Sequence, residues 1–220
     1  MAVDEQLIET ARRSLYAAVL SDVLDGLGYR HQVLPPAIRP LDDRVVLCGR
    51  ARTGLYHDVY HVPSHNPYEL EIALIDDLKP GDVAVLACGR SGRIAPWGEL
   101  LTTASMARGA HGCVTDGLVR DTNAIRQLNF PVFHGGIGPL DSKGRGEVCA
   151  IDIPIECAGV TINPGDLVFG DADGVVVVPE PIVLPTVKKA LDKVAGEDRT
   201  RDELKQGARL ADVFKKYGVL

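Results

Sequence analysis

Apolar residues recur at two different spacings along the first two thirds of the chain. Helical spacing predicts helices over residues 4–14, 23–27, 66–78, 98–108 and 122–128. The second helix begins at Ser21-Asp22 and is closed by Gly28. Short apolar runs between turn residues predict strands over residues 44–56, with a bend at Gly49, and over 83–88, 112–115 and 131–134. This βαβαβ order predicts a sheet with crossover helices.

The last third of the chain has a different pattern. Residues 147–179 are mostly strands, including 167–170 and 175–178, and residues from 180 onward are helical, ending in a short segment at 210–217. The turn Pro-Gly-Asp precedes a strand twice, at residues 80–82 and 164–166. We therefore expect a mixed α/β fold with a substantial β portion, in one domain spanning residues 1–220.

Composition narrows the choice of partners. The 220 residues are 45% hydrophobic and 25% charged, as is usual for a globular domain. Lysine and arginine number 24 against 30 acidic residues, and the net charge of -6 predicts no nucleic-acid partner and no anionic membrane partner. No apolar run approaches the roughly 20 residues of a spanning helix, and the first 13 residues do not resemble a signal peptide. We expect a cytoplasmic protein.

The five cysteines do not predict a disulfide framework. They occur singly in apolar, strand-like surroundings, without a Cys-x-x-Cys pair, and their number is odd. We expect each to be buried as a small hydrophobic residue. The positions are Cys48, Cys88, Cys113, Cys149 and Cys157.

Three histidines, His57, His61 and His65, follow one another at a spacing of four residues. On a helix this spacing would stack the imidazoles on one face as a possible transition-metal site. Pro63 lies between them and disfavours an uninterrupted helix. A loop with three ordinary histidines is the favoured interpretation.

The residues with the most chemistry lie between Pro96 and Asp121. Gly98 and Glu99 open a helix whose free N–H groups could hold a substrate carboxylate, and Trp97 could form a wall of the pocket. Arg120 and Asp121 follow a buried strand. They can act together only if the strand ends there, because neighbouring residues on a regular strand point to opposite faces.

Each acid in this stretch also has a purely structural interpretation. Asp121 precedes a helical run and could simply cap it. Glu99 lies in a first helical turn, where the helix dipole favours a carboxylate in any case. Lys143 and Arg145 could form an anion-binding loop, although a solvated turn is slightly favoured. His134 closes a strand and could either lie at the edge of the core, which is favoured, or support the site residues from behind.

The whole chain resembles the RraA-like family, which includes the divalent-metal 4-hydroxy-4-methyl-2-oxoglutarate / 4-carboxy-4-hydroxy-2-oxoadipate aldolases. The motifs that carry this resemblance are SDVLDGLG, GELLTTASMARGAHGCVTDGLVRD, FPVF, GRGEV and PGDLVFGDADGVVVVP. The family pattern is an acid, twenty residues and then Arg-Asp, and residues 100–119 separate Glu99 from Arg120 here. The resemblance implies an α/β/β sandwich of the swivelling type.

The resemblance also implies roles for these residues. Asp121 would ligate Mg²⁺ or Mn²⁺, and Glu99 would hold a water molecule on that metal. Arg120 would bind the keto oxygen that becomes the enolate. The backbone of Gly98, Glu99, Leu100 and Leu101 would hold the pyruvoyl carboxylate. Decarboxylation of oxaloacetate is expected as a secondary activity, because it forms the same enolate.

Family members assemble as trimers or dimers of trimers with the site at a subunit boundary. An acid from the neighbour's C-terminal helix completes that site, and Glu197 is the candidate here, with Asp198 as the alternative. Residues from about 180 to 220 are therefore expected to contact a neighbouring subunit.

Two departures from the family pattern leave the substrate open. Glu99 stands where the best-characterised aldolases of the family have Asp, and the histidine-bearing loop at 57–65 differs from the common pattern. The alternatives are another metal-dependent lyase or hydratase acting on a 2-oxo acid, and a non-enzymatic ribonuclease regulator. Methyl transfer is disfavoured, because Gly135-Gly136-Ile137-Gly138 does not make a nucleotide-binding loop.

Overall fold

The structure is a computed structural model that describes residues 5–218. Its helices are α1 (Glu5–Ser14), α2 (Ala17–Gly26), α3 (Glu69–Asp76), α4 (Glu99–Ala107), α5 (Thr122–Leu128), α6 (Val183–Lys205) and α7 (Leu210–Tyr217). Its strands are β1 (Arg39–Pro40), β2 (Leu47–Asp58), β3 (Asp82–Ala87), β4 (Gly112–Thr115), β5 (Leu118–Val119), β6 (Val132–His134), β7 (Gly136–Ile137), β8 (Gly146–Ile151), β9 (Ile155–Cys157), β10 (Val160–Ile162), β11 (Leu167–Asp171) and β12 (Gly174–Val178). The predicted start of the first helix at Asp4 lies outside the described residues.

Most strands join one eight-stranded sheet. Its order is β1-β6-β4-β3-β2-β11-β12, and β8 pairs with β2. Strands β2, β3, β4 and β6 are parallel neighbours, and α3, α4 and α5 are the crossovers between them. Three further pairs in this sheet are antiparallel: β11 with β12, β11 with β2, and β8 with β2. The predicted βαβαβ order and the strand-rich last third are both confirmed.

Both faces of the sheet are covered, and β3 shows how. All six of its residues are buried. Val83 and Val85 face a core shared with the β9–β10 hairpin, whereas Ala84 and Leu86 face a core shared with α3, α4 and α5. Helices α1, α2 and α6 cover the β11–β12 end. The alternation follows the two-residue period of a strand. The predicted mixed α/β/β fold class is confirmed.

The two Pro-Gly-Asp turns lie on either side of β2. In each turn the Asp carboxylate accepts an N–H from the residue three positions earlier, at 2.8 Å for both Asp82 and Asp166. Gly81 and Gly165 adopt φ values of 82° and 92°, a region that favours glycine. The carbonyl of Gly81 and the N–H of Gly165 form hydrogen bonds with β2. The recurring motif therefore fixes where β3 and β11, the strands on either side of β2, begin.

The second helix was predicted too short. It begins at Ala17 rather than at Ser21-Asp22, and it buries Ala17 and Leu20 in addition to the predicted part. No side chain at Tyr16 caps it. Instead the Ala17 N–H donates to the carboxylate of Asp171 at 2.7 Å. The cap comes from a residue distant in sequence, which local capping rules do not detect.

Three smaller predictions also need correction. Helix α3 begins at Glu69, because Asn66 accepts the Tyr68 N–H in a turn before the helix. The register irregularity of β2 lies between Leu55 and Tyr56 rather than at Gly49. Cys149 is exposed on β8, whereas the other four cysteines are buried as predicted.

In residues 5–218 no helix combines the length and the apolar character needed to cross a membrane. The cytoplasmic location stays a prediction from the sequence.

Candidate active site

Strand pairing brings the two halves of the Pro96–Asp121 stretch together. Trp97 forms a parallel bridge with Val119, and the Arg120 N–H donates to the Trp97 carbonyl at 3.0 Å. The start of α4 therefore lies beside the end of β5. The approach is close: a Cβ at Gly98 would lie 2.7 Å from Oδ2 of Asp121. Glycine is needed at this position because any side chain would displace the carboxylate.

Trp97 holds the start of α4 in place. Its side chain is buried and stacks on Phe130 with a centroid distance of 6.2 Å. The indole N–H donates to Thr102 Oγ1 at 2.8 Å, and that hydroxyl donates to the Gly98 carbonyl at 3.0 Å. Trp97 contributes to the wall of the cavity, as predicted, and also fixes the direction of the first helical turn.

Asp121 does not act as the side-chain cap that its sequence position allowed. Its backbone is left-handed, with φ 56°, and its carboxylate makes no hydrogen bond to the first turn of α5. Oδ2 instead accepts the N–H of Glu99 at 3.3 Å, so that the carboxylate faces the N-terminus of α4. The side chain is 49% exposed, which leaves room for a ligand. The predicted strand end is observed, because β5 stops at Val119.

Arg120 lies between two carboxylates. Its Nε is 3.6 Å from Oδ2 of Asp121, and its Nη1 is 3.7 Å from Oδ1 of Asp141. Nη1 also donates to the Leu140 carbonyl at 3.5 Å. These contacts extend the guanidinium into the cavity next to the first turn of α4. A negative charge that develops in this cavity would be stabilised by it.

Glu99 lies on the outer side of the site. Its Oε1 accepts a hydrogen bond from Thr103 Oγ1 of the same helix at 2.7 Å. Glu99 and Asp121 together line an outer cavity with Leu100, Ala124, Gln127 and Leu128, whereas Arg120 and Asp121 line an inner one. Asp121 thus stands at the boundary of both cavities. Leu100 is 77% exposed beside it, and the N–H groups of Leu100 and Leu101 have no acceptor within the helix.

The inner cavity has a volume of about 210 Å³ and contains residues that the sequence patterns did not single out. Its wall includes Tyr68 and Glu71 near or on α3, and Asp141 and Ser142 from the turn before β8. The Tyr68 hydroxyl donates to Oδ2 of Asp141 at 2.9 Å. In the DSKGRGEV segment the sequence offered Lys143 and Arg145 as candidates for anion binding, with a solvated turn slightly favoured. The structure brings Asp141 to Arg120 instead, and Lys143 lies in an exposed turn.

Glu71 is a buried carboxyl group in this wall. It is 7% exposed, and Tyr56 Oη donates to its Oε2 at 2.8 Å. Burial raises the pKa of Glu71 from 4.5 to about 7, and the negative charge of Asp141 contributes in the same direction. The sequence does contain a pattern that could have identified Glu71 as a buried acid. Glu71 lies three, four and seven residues before Leu74, Ile75 and Leu78, so that an acid occupies the apolar face of a helix.

This raised pKa predicts a pH-dependent stability. Between about pH 4.5 and 7 the unfolded chain releases the Glu71 proton while the folded chain keeps it, so that stability is lost as the pH rises through this window. The shift corresponds to about 3 kcal/mol. Glu71→Gln should remove the loss. Urea unfolding should show the wild type becoming less stable relative to this variant by about that amount between pH 4.5 and 8.

Glu69→Gln is the matched control for that measurement. Glu69 lies on the same helix, is exposed, and undergoes the same replacement of glutamate by glutamine. The stability difference between wild type and Glu71→Gln should change with pH by more than the difference between wild type and Glu69→Gln. Equal pH dependence of the two differences would contradict the prediction.

The carboxylate chemistry of the site suits a hard divalent cation. Among residues 5–218 no group of three or more His, Cys, Asp or Glu side chains is arranged to hold a metal. Mg²⁺ keeps several waters and is usually bound by one or two carboxylates together with oxygens of the substrate. One partly exposed carboxylate, Asp121, beside an open cavity fits that mode. It does not fit a closed structural zinc site, which needs four protein ligands.

The two candidate acids of the C-terminal helix lie away from this cavity within one chain. Glu197 accepts a hydrogen bond from Tyr16 Oη, and Asp198 pairs with Arg201. Helix α6 packs against α1 and α2. A role for Glu197 or Asp198 in the site would require a second subunit, as the family resemblance implied, and stays a prediction.

The three histidines do not form a helix. His57 lies in β2, which corrects the prediction of a loop for that residue, and His61 and His65 follow in the loop. Nε2 of His57 and of His65 lie 3.7 Å and 3.2 Å from the carboxylate of Glu147. His134 is buried, as predicted for the edge of the core, and burial lowers its pKa.

Comparisons with known proteins agree on the family. Residues 17–177 match the family described as RraA-like, Aldolase/RraA. A protein of Halalkalibacterium halodurans named "Putative 4-hydroxy-4-methyl-2-oxoglutarate aldolase" is 35% identical over 189 residues, covering 86% of this chain and 84% of the relative. The matched range includes the whole Pro96–Asp121 stretch.

Solved structures give the same result for the fold. An uncharacterized protein from Pseudomonas syringae pv. tomato has a TM-score of 0.85 and 28% identity, covering 97% of this chain and 98% of that one. Streptomyces coelicolor RraAS2, described as an unusual member of the RNase ES inhibitor RraA protein family, has a TM-score of 0.80 and 29% identity, covering 91% and 98%.

Proposed function

The chain belongs to the RraA-like family, and from this premise we propose that it is a lyase, a divalent-metal-dependent pyruvate aldolase. The substrates indicated by the family are 4-hydroxy-4-methyl-2-oxoglutarate and 4-carboxy-4-hydroxy-2-oxoadipate, each cleaved to pyruvate and a 2-oxo acid. Decarboxylation of oxaloacetate is the proposed secondary activity.

One observation carries the proposal. The bridge between Trp97 and Val119 sets the first turn of α4 against Arg120 and Asp121, which lie more than twenty positions later in sequence. Free N–H groups, a guanidinium and a partly exposed carboxylate then surround one cavity. A 2-oxo acid needs all three: donors for its carboxylate, a cation for its keto oxygen and an oxygen ligand for a metal.

The chain's own residues would act on the pyruvoyl half of the substrate. The N–H groups of Leu100 and Leu101, at the positive end of the helix dipole, would bind the carboxylate. Arg120 would donate to the keto oxygen, which gains negative charge as the C3–C4 bond breaks and the pyruvate enolate forms. Glu99 would orient a water molecule at the outer edge of the site.

Asp121 would hold the divalent cation, Mg²⁺ or Mn²⁺. When bound, such a cation supplies Lewis acidity to the keto oxygen. The N–H of Glu99 and the guanidinium of Arg120 both contact the Asp121 carboxylate, and these contacts direct it toward the cavity.

Aldol cleavage also needs a base for the C4 hydroxyl proton. Glu71 is too deeply buried beside Tyr56 to be assigned that task, and Glu197 of a neighbouring subunit is the proposed base. Oxaloacetate decarboxylation needs no such base. The proposed assembly is a trimer or a dimer of trimers with a small-molecule 2-oxo acid bound at each subunit boundary.

A direct assay tests the function. Purified protein is mixed separately with 4-hydroxy-4-methyl-2-oxoglutarate, 4-carboxy-4-hydroxy-2-oxoadipate and oxaloacetate, and pyruvate is followed with Mg²⁺, with Mn²⁺ and with EDTA. We expect pyruvate from at least one aldol and from oxaloacetate, with loss of both activities in EDTA. Pyruvate release that is absent from all three, or unaffected by EDTA, would overturn the proposal.

The shared site predicts complementation between two inactive variants. Arg120→Ala and Glu197→Gln damage different halves of the site, so that refolding them together in equal amounts should restore aldol cleavage at about a quarter of the sites, because subunits associate at random. Arg120→Ala mixed with Asp121→Asn is the control, since both changes lie in the same half. A first mixture that recovers no more activity than the control would contradict the sharing of the site between Arg120 and Glu197. If Asp198 is the base, Asp198→Asn rather than Glu197→Gln will complement.

The second candidate function is regulation of a ribonuclease. It is favoured by the likeness to the Streptomyces protein described as belonging to an RNase ES inhibitor family. A surface inhibitor would not depend on Arg120 or Asp121. Inhibition of a ribonuclease by the wild type and equally by Arg120→Ala, without pyruvate release from any 2-oxo acid, would favour this function. A different metal-dependent lyase or hydratase is distinguished by its products.

A further inference from the structure

Helix α6 carries two neighbouring acids, Glu197 and Asp198, whose surroundings differ. Adjacent residues of a helix are rotated by about 100° around its axis, so that the two side chains point in different directions. Glu197 is partly buried and lies next to the buried Gly196. Asp198 is exposed and pairs with the exposed Arg201 of the same helix. An exposed pair of this kind holds a side chain only weakly.

Glu197 is held by a contact from a distant part of the chain. Tyr16, at the junction of α1 and α2, donates its hydroxyl hydrogen bond to Oε2 of Glu197, 181 positions later in sequence. Helix α6 packs against both α1 and α2. Among residues 5–218 the other oxygen, Oε1 of Glu197, has no hydrogen-bond partner. This oxygen therefore keeps its capacity to accept a proton.

Tyr16 is itself fixed on both sides. Its backbone is extended, with φ -142° and ψ 159°, between the two helices. The N–H of Leu15 donates to the carbonyl of Ala11 at 2.9 Å, and the N–H of Ala17 donates to the carboxylate of Asp171 at 2.7 Å. The Tyr16 ring packs against the core that α1, α2 and α6 share. Since a tyrosine side chain turns about only two torsions, the position of its hydroxyl is well determined.

A fixed hydroxyl restricts a side chain that is flexible by nature. Glutamate is among the side chains that lose the most rotamer freedom when they are held in one place. A general base must come within hydrogen-bond reach of the proton that it takes, and a misplacement of about 1 Å can cost about 10²-fold in rate. The contact from Tyr16 holds the Glu197 carboxylate in one place before a substrate binds.

On the premise of the proposed aldolase function, in which Glu197 serves the site of a neighbouring subunit, we propose that Tyr16 is the positioning residue of this base. Its hydroxyl holds Oε2 and leaves Oε1 for the substrate. It also assigns the role to Glu197 rather than to Asp198, which has only a surface pair within its own helix. Tyr16 and Glu197 belong to the same chain, so that each subunit orients the base that it supplies.

The proton transfer occurs in one of the two reactions only. In aldol cleavage the C4 hydroxyl proton passes to Oε1 of Glu197, the C3–C4 bond breaks, and its electron pair forms the pyruvate enolate. C4 becomes a carbonyl carbon, Glu197 releases its proton to solvent, and protonation of the enolate at C3 completes pyruvate. Oxaloacetate has no such hydroxyl, and its decarboxylation therefore needs neither Glu197 nor Tyr16.

Tyr16→Phe tests the proposal, because it keeps the ring and removes only the hydroxyl. With Mg²⁺ and the full-length protein, kcat for cleavage of the two aldols named above should fall by about ten- to 100-fold, as expected for a base that is present but no longer held in place. The kcat for oxaloacetate decarboxylation should stay at the wild-type value. This split is informative, because a distorted fold or a damaged cavity would lower both reactions.

Tyr217→Phe is the matched control. Tyr217 Oη donates to Oε1 of Glu203 at 2.5 Å, so that it forms a second tyrosine–glutamate pair on the same helix. The substitution removes the same hydroxyl group from a residue without a proposed role in either reaction. Both aldol cleavage and decarboxylation should remain at the wild-type rates in Tyr217→Phe.

A double variant tests whether Tyr16 acts through Glu197. Effects of independent sites multiply in rate, whereas those of coupled residues do not. Adding Tyr16→Phe to Glu197→Gln should therefore cause no further loss of aldol cleavage. Adding it to Asp198→Asn should cause the full loss seen with Tyr16→Phe alone.

The outcomes separate this inference from the function on which it rests. Unchanged aldol cleavage in Tyr16→Phe, or an equal fall in both reactions, would overturn the inference and leave the aldolase standing. So would a full further loss when Tyr16→Phe is added to Glu197→Gln. A wild type that releases pyruvate from neither aldol would overturn both proposals.

Discussion

Replacing Arg120 with alanine is expected to lower kcat for metal-dependent pyruvate release by about 10²- to 10³-fold, the usual effect of removing one preorganised donor to a developing oxyanion. The guanidinium is the only cation of the described residues that lines the inner cavity. Oxaloacetate decarboxylation should fall in parallel with aldol cleavage, because both reactions place negative charge on the same keto oxygen.

The fold should survive this substitution. The Arg120 side chain is 38% exposed, its single hydrogen bond to Leu140 is 3.5 Å long, and both of its ion pairs are longer than that. Partly exposed pairs of this kind contribute at most about 1 kcal/mol. Circular dichroism and the urea midpoint should therefore change little. Arg120→Ala with undiminished turnover would overturn the role of Arg120.

Arg39→Ala is the matched control for Arg120→Ala. The Arg39 guanidinium also donates to backbone carbonyls, those of Ala172 and Asp173, but it is not among the residues that line the cavity. Arg39→Ala removes the same charge and the same number of atoms as Arg120→Ala. Activity close to that of the wild type in Arg39→Ala would show that the loss in Arg120→Ala is local to the site.

Asp121→Asn is expected to lower Mn²⁺ affinity by at least about 100-fold and to abolish pyruvate release with it. Changing groups that merely orient a metal ligand already costs 10- to 100-fold, and this change removes an anionic ligand itself. Asparagine is the right replacement because Asp121 adopts φ 56°, a region in which Asn is favoured over other L-residues. The amide can also keep the hydrogen bond from the Glu99 N–H.

Asp152→Asn matches this substitution in both backbone and charge. Asp152 also adopts a left-handed conformation, with φ 53°, and it pairs with Arg52 at 2.8 Å, away from the cavity. Titration with Mn²⁺, followed by calorimetry or electron paramagnetic resonance, should show wild-type affinity in this control. Unchanged Mn²⁺ affinity in Asp121→Asn would refute the assignment of the metal ligand.

Local patterns predicted the parallel part of the fold well. The apolar run of β3 and the helical spacing of α4 are properties of consecutive residues, and both elements were found at nearly the predicted bounds. Helix α2 shows the opposite case. Its start depends on Asp171, more than 150 positions later, because that carboxylate supplies the missing cap. No window of neighbouring residues contains this information.

The candidate site likewise combines features that local sequence patterns predict with features that they do not. The spacing between Glu99 and Arg120-Asp121 pointed to one site, although a structural role for each acid was equally compatible with its position. The structure excludes the α5 cap for Asp121, because its carboxylate turns to α4 instead, and its role as a metal ligand stays a proposal. Asp141 and Glu71 reach the same cavity from other parts of the chain and were not singled out from sequence.

The sequence by itself determined the order of helices and strands, the turns at Pro-Gly-Asp, and the pairing of an acid at a helix start with Arg-Asp at a strand end. Periodicity, turn chemistry and helix-terminus preferences act over a few residues, so that they can be read locally. Only the tertiary structure decided how charge is distributed around the cavity. Whether Glu71 holds a proton, and whether Arg120 faces one carboxylate or two, depends on burial and on distances between segments far apart in the chain.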